Sequence, residues 1–261
     1  GQIAGWSENN LGNPRPCIWT PAGSPTDLLE LTDDVNGKAY AINNSGIAAG
    51  KASDKPALFM PDGTVQKLGS LGGSKGCALG INDNNQVVGW SEDGFGNVRS
   101  FIWDSTGSMR PLGIVAGQIN SVAYDITKEG YIVGISTDRA SPLLQLALNE
   151  HNGYVVDIDS FPCLWDPNDN YATPMVLDTL AGNYGGAYAI NSYGEIVGFS
   201  TTSAGQQHAS LWNTNGDITD LNNQIDPETG IVLNAATDIN FIGRIVGWGT
   251  EGQVISERPV V

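Results

Sequence analysis

Short apolar runs alternate with polar, glycine-bearing turns along the whole chain, and one run returns six times: Ile3-Ala4-Gly5, Ala48-Ala49-Gly50, Val87-Val88-Gly89, Ile132-Val133-Gly134, Ile196-Val197-Gly198 and Ile245-Val246-Gly247. Successive glycines of these triplets stand 45, 39, 45, 64 and 49 residues apart, the period of a small four-stranded sheet with one insertion. Ahead of five triplets lies a second apolar segment, Ala-Tyr-Ala-Ile-Asn at 39–43 and 187–191, with looser copies at 78–82, 123–127 and 236–240. The links between the two segments, such as Asn43-Asn44-Ser45-Gly46 and Asn191-Ser192-Tyr193-Gly194, predict tight hairpins. Asn bonds its own turn backbone and Gly takes the positive φ that such a turn needs. In one copy Asn85 replaces that Gly, the substitution a left-handed position tolerates best.

A third segment follows each triplet: Arg15 to Trp19, Pro56 to Met60, Arg99 to Trp103, Phe161 to Trp165, His208 to Trp212 and Arg258 to Val261. Four of the six end in Trp, a ring large enough to fill the space between packed sheets. A fourth segment comes next, as Leu28 to Leu31, Val65 to Leu68, Met109 to Leu112, Met175 to Leu180 and Asp217 to Leu221. Lettered a to d, the segments make five a, six b, six c and five d strands. The fold class they predict is all-β: a β-propeller of six blades of four antiparallel strands, in one domain over 1–261, with the first and last blades incomplete. Five blades plus extra strands is the competing count. Closure is expected from a d-a segment upstream of Gly1 or from strands of a neighbouring chain, since unpaired edges invite pairing.

Composition narrows the partners. Glycine at 34 residues and a charged fraction of 15% do not suit a helical protein. With 12 basic and 28 acidic residues, the formal charge of -16 repels a phosphate backbone, so nucleic acid is excluded as a partner. No apolar run approaches the ~20 residues of a membrane-spanning helix. Three cysteines supply no disulfide framework, and Cys17 and Cys163, just before aromatic strand ends, read as small buried hydrophobes.

Together the motifs resemble the HAF-repeat family of bacterial extracellular proteins, whose unit runs as Ala-x-Ala-Ile-Asn, Ile-Val-Gly, His-Ala-Phe-Leu-Trp and Asp-Leu-Gly strands. The nearest unit spans Ala187 to Leu221, with Ala189-Ile190-Asn191, Ile196-Val197-Gly198, His208-Ala209-Ser210-Leu211-Trp212 and Asp220-Leu221. The resemblance implies a propeller-type repeat in a secreted, extracellular bacterial protein, and it carries no assigned activity. His208 matches the motif, but Arg15, Pro56, Arg99, Phe161 and Arg258 stand near that place elsewhere, so no catalytic role passes to the histidine.

The only histidines, His151 and His208, fall in different repeats, and no metal-spaced His pair, Cys-x-x-Cys, Gly-x-Ser-x-Gly or phosphate loop is present. No catalytic or metal-binding residue is assigned. Calcium is the one cofactor with candidate loops, Asp93-Gly94-Phe95-Gly96-Asn97 and Asp166-Pro167-Asn168-Asp169-Asn170, but neither has EF-hand spacing and a plain turn explains both. Candidate ligand-binding residues are Tyr40, Tyr124 and Tyr188, in one phase of three a strands, and Asp125 and Asp238, which replace Ala in a strands near the axis. An insertion at about 136–160 lengthens the fourth repeat, and its Leu143-Leu144-Gln145-Leu146-Ala147-Leu148 run is expected to form a short helix or extra hairpin over one channel mouth. The expected function is a non-enzymatic extracellular recognition or scaffold module that binds protein or carbohydrate through loop faces or the channel mouth. The alternatives are a carbohydrate-active hydrolase or lyase using channel carboxylates, and a structural subunit that self-assembles through its incomplete blades.

Overall fold

The computed structural model describes residues 1–21, 23, 25–29, 36–139 and 159–251. Its 21 strands fall in six antiparallel sheets. The first holds β1 (Ile3–Glu8), β2 (Pro14–Trp19) and β3 (Pro25–Asp27). Four-stranded sheets follow: β4 (Gly37–Ile42), β5 (Ala48–Ala52), β6 (Lys55–Phe59) and β7 (Val65–Lys67); then β8 (Gly72–Ile81), β9 (Val87–Asp93), β10 (Val98–Trp103) and β11 (Met109–Pro111). The next two are β12 (Asn120–Ile126), β13 (Ile132–Thr137), β14 (Phe161–Trp165) and β15 (Met175–Val176), and β16 (Ala181–Ile190), β17 (Ile196–Thr202), β18 (Gln207–Trp212) and β19 (Ile218–Asp220). Last comes the pair β20 (Ile231–Ile239) and β21 (Ile245–Glu251).

Every sheet is a meander in chain order, and β4, β8, β12, β16 and β20 pack one against the next. The sheets are therefore blades arranged around an axis, and the fold is an all-β propeller. Expected and observed strand types match with two changes of position: the first d strand is Pro25–Asp27, ahead of the expected Leu28 to Leu31, and the second c strand is Lys55–Phe59, closing on Phe59 instead of Met60. The sixth c segment, Arg258 to Val261, and the centre of the insertion with Leu143 to Leu148 and His151 lie outside the described residues.

Three devices explain why this repeat makes a blade. The triplet glycine faces the strand before it at a point of very close approach. A Cβ on Gly50, Gly89, Gly134, Gly198 or Gly247 would overlap the carbonyl oxygen of Lys38, Cys77, Val122, Gly186 or Ala235 respectively, so only glycine fits. The turn asparagine does two jobs. Asn191 Oδ1 accepts the N–H groups of Tyr193 and Glu195 at 3.0 Å each, while its Nδ2 donates to the Asn240 carbonyl of the next blade at 3.3 Å. Asn43 and Asn82 repeat that link, donating to the carbonyls of Asn82 at 3.3 Å and Thr127 at 2.9 Å. Asn85 takes φ 59° in its turn, as the sequence predicts.

The c-strand aromatic closes the interface with the preceding blade, as Phe59 in the second blade and Trp103, Trp165 and Trp212 in the next three. Trp165 and Trp212 are fully buried, and each indole N–H donates at 2.8 Å to the preceding blade, to Gly113 and Asp178 carbonyls. Around Trp212 pack Val133, Leu177, Ala187, Ile190 and Ile196, so one apolar cluster belongs to two blades at once. Burying such a ring stabilises the wheel by roughly 3 kcal/mol or more, which a lone blade with one solvated face would forgo.

Candidate functional site

At the axis the a strands share one irregularity. In β4, β8, β12, β16 and β20 the register against the b strand shifts between Ala39 and Ala41, Ala78 and Gly80, Ala123 and Asp125, Ala187 and Ala189, and Ala236 and Asp238. Each shift is a β-bulge that leaves one extra residue: Tyr40, Leu79, Tyr124, Tyr188 or Thr237. Consecutive residues of a regular strand face opposite sides, and a bulge breaks that alternation. The result is that Tyr40 with Ala41, Tyr124 with Asp125, Tyr188 with Ala189 and Thr237 with Asp238 all line one cavity of about 390 Å³. Gln2, Ile3 and Ala4 of the first blade and Leu79 and Ile81 of the third complete its wall.

All five residues singled out from the sequence, Tyr40, Tyr124, Tyr188, Asp125 and Asp238, thus meet in this axial mouth. Their environments differ. Tyr124 and Tyr188 are 5% and 2% exposed and meet edge to face with centroids 5.2 Å apart, so their rings form the floor. Leu79, Trp90, Ile135 and Phe199 pack with them as a central plug. Tyr40 is half-buried, and burial together with the nearby Cys77 pushes its hydroxyl well above the ordinary range. Asp238 is exposed.

Asp125 is half-buried at the rim. One carboxylate oxygen accepts the N–H of Ile126 at 2.8 Å, and the other accepts the N–H of Ile190, in the next blade, at 3.0 Å. Burial raises its carboxyl to about 6, the two backbone bonds pull the other way, and the Asp238 charge adds a small upward push. Asp238 repeats the first bond, accepting the Ile239 N–H at 2.8 Å. An Asp after the bulge therefore accepts the N–H of the residue that follows it. Nothing in the sequence alone points to this role. Its one trace is an acid at the second Ala of Ala-x-Ala-Ile-Asn, but the bonded Ile190 is 65 residues away.

Neither calcium candidate offers free oxygens in quantity. Asp93 accepts N–H groups of Phe95 and Asn97 and side-chain bonds from Asn97 and Arg99. Asp166 caps a short 3-10 turn at Pro167–Asp169 through Asn168, and Asp169 accepts from Ala172 and Thr173. Among the described residues no group of three or more His, Cys, Asp or Glu converges on one point.

His208 lies at the start of β18, with Nδ1 2.7 Å from Asp220 Oδ2 across the c–d hairpin. Although burial pushes the Asp220 carboxyl up, bonds from His208 and Asn222 hold it below the ordinary range. All three cysteines are buried thiols, and burial raises Cys77 to about 12. Among the described residues no helix is long and apolar enough to cross a membrane.

No protein-family model matches the chain, and no curated protein matches it. Among solved structures it is similar to TolB from Acinetobacter baumannii, a β-propeller protein, with 17% identity and a TM-score of 0.58, covering 85% of this chain and 52% of that one. The chain thus spans about half the length of TolB, and a likeness at this identity shows the fold alone. A gluconolactonase from Xanthomonas campestris aligns over 96% of this chain and 82% of its own, with 12% identity and a TM-score of 0.46.

Proposed function

We propose that this propeller is an extracellular, non-enzymatic recognition or scaffold module of the HAF-repeat type, and that the axial mouth is where it engages a protein segment or a glycan. The observation that carries this reading is the commitment of both Asp125 oxygens to backbone N–H groups, one in its own blade and one in the next. A carboxylate held that way joins blades. Both of its oxygens are already directed at main-chain N–H groups, which orients it toward the wall and away from a group in the mouth. What the mouth offers an incoming group is the exposed Asp238 acid, the half-buried Tyr40 ring edge and the polar Gln2 and Thr237 side chains above an aromatic floor. Such a mixture suits hydroxyl-rich or basic groups. The secreted setting rests on the repeat resemblance and on the acidic composition, which suits a soluble surface outside the cell.

A second reading has its own support. Two carboxylates share the mouth and one of them is raised to about 6, the pattern by which glycosidases separate an acid from a base. A panel of glycans and peptides titrated against the chain and against Asp238→Asn and Tyr40→Ala separates the two. Saturable binding weakened by both substitutions, with no bond cleavage, supports recognition. Turnover of a glycan that Asp125→Asn abolishes would instead establish the enzyme.

A further inference from the structure

The third and fifth blades, β8 to β11 and β16 to β19, open their a strands with the same irregularity. Gly72 lies opposite Asp93 and Gly76 opposite Ser91, while Ala181 lies opposite Thr202 and Gly185 opposite Ser200. In each blade three residues of the a strand therefore bow out over one residue of the b strand. Both bows start in the left-handed region, at φ 115° for Gly72 and 64° for Ala181. In the third blade the facing residue is the buried Glu92, and its side chain fills the bow. Its Oε2 accepts the Ser74 N–H and hydroxyl at 3.0 Å each and the Lys75 N–H at 2.8 Å. From the preceding blade, Lys55 Nζ donates to the Gly73 carbonyl at 3.2 Å.

The fifth blade keeps the bow and loses the charges that close it. Thr201 stands where Glu92 does, Tyr184 where Lys75 does, and Phe161 of the preceding blade where Lys55 does. Thr201 is too short to fill the space, and its hydroxyl bonds the main chain of Tyr184, accepting the N–H at 3.1 Å and donating to the carbonyl at 3.0 Å. What remains is a cavity of about 430 Å³. It lies at the end of β16 remote from the axial mouth, which Tyr188 and Ala189 of the same strand line. Tyr184, Asn183, Ser203 and Gln207 form part of its wall, and Asp159 is the one acid or base along it among the described residues. Gln207 Nε2 has no acceptor among the described residues.

We infer that this cavity is a second binding site, separate from the axial mouth, and that it takes a neutral sugar. Its volume falls in the range of small-molecule pockets, about 300–1,000 Å³. The wall offers no Lys, Arg or His to an anion, and Asp159 together with the formal charge of -16 repels one. A single carboxylate is also a poor start for a divalent-cation site, which gathers six or more oxygens. A sugar hydroxyl both donates and accepts, so it answers Asp159 and the Gln207 amide alike, while the apolar face of a pyranose ring suits the half-buried Tyr184. In this arrangement a sugar oxygen takes the place that the Glu92 carboxylate holds in the third blade.

The test is titration of the full chain with glucose, galactose, mannose, xylose and N-acetylglucosamine, and with their β-linked disaccharides, followed by calorimetry and ligand-detected NMR. Saturable binding of at least one sugar is expected, weakened about tenfold by Tyr184→Ala. Thr201→Glu supplies the carboxylate that closes the third blade's bow, and it should abolish binding while the melting temperature holds. Thermal melts of both variants separate loss of the site from loss of the fold, and Tyr184→Ala decides the matter should the Glu variant not fold. Tyr40→Ala and Asp238→Asn, which alter the mouth, should leave this affinity unchanged. Absence of saturable binding by every sugar overturns the assignment. A bound sugar whose affinity falls in Tyr40→Ala but not in Tyr184→Ala also overturns it, by giving the ligand to the mouth.

Discussion

His208 Nδ1 lies 2.7 Å from Asp220 Oδ2, and Arg15 Nε lies 2.9 Å from Asp27 Oδ2 at the same two places of the first blade. In both, the other carboxylate oxygen accepts a backbone N–H two residues on, from Asn222 or Leu29. The basic residue opening the c strand is thus a clamp on the c–d hairpin, and either side chain can serve.

His208→Arg should therefore leave stability nearly unchanged, while His208→Ala should cost about 1 kcal/mol, the scale of a partly exposed charge-assisted bond. Denaturant midpoints of the two variants measure the difference. Equal losses in both would remove the clamp as an explanation for the motif.

Gly198→Ala places a methyl group onto the Gly186 carbonyl oxygen, backbone that has little room to yield. A loss of roughly 2–3 kcal/mol is expected from such overpacking. Gly94 is the control, because a methyl group there would meet nothing within 4 Å, and Gly94→Ala should be near neutral. Thermal melts in parallel give both values.

The repeat, the strand types and the hairpin turns were legible because each rests on neighbours in sequence: alternation, Asn-x-x-Gly, and Trp at a fixed offset. Tyr124 and Asp125 show where that legibility ended. Their placement near the axis followed from the repeat, yet adjacent residues sharing one cavity contradicts regular strand alternation. Only the bulge resolves it, and the sequence marks the bulge indirectly, through an Ala that always meets a Gly on the neighbouring strand. The bond from Ile190 to Asp125 had no local signature at all, since it joins separate repeats.

The buried thiols should be inert. Burial lifts Cys77 to about 12 and also raises Cys17 and Cys163, so little thiolate exists near neutrality. Labelling by a disulfide reagent should proceed at the rate of unfolding, and become immediate for all three cysteines in denaturant. Fast labelling of the native chain would contradict the packing of Cys17 and Cys163 in c strands and of Cys77 in the a strand β8.

Asp125 sets a pH dependence of definite sign. Unfolded, its carboxyl loses a proton near the ordinary value of about 3.9, whereas in the fold burial delays that loss to about 6. Between those values the unfolded chain has released the proton and the folded chain retains it, so this group's contribution falls as pH rises. The stability gap between the chain and Asp125→Ala should be larger near pH 4 than near pH 7, by on the order of 2 kcal/mol. Urea titrations at the two pH values check it.

The central claim is that Asp125 at the axis joins two blades and thereby helps build the mouth, and amide hydrogen exchange at Ile190 addresses it most directly. Slow exchange of the Ile190 N–H, accelerated about tenfold or more by Asp125→Ala while amides within β17 keep their protection, is the expected result. An Ile190 amide that exchanges equally fast with and without the Asp125 carboxylate would contradict it.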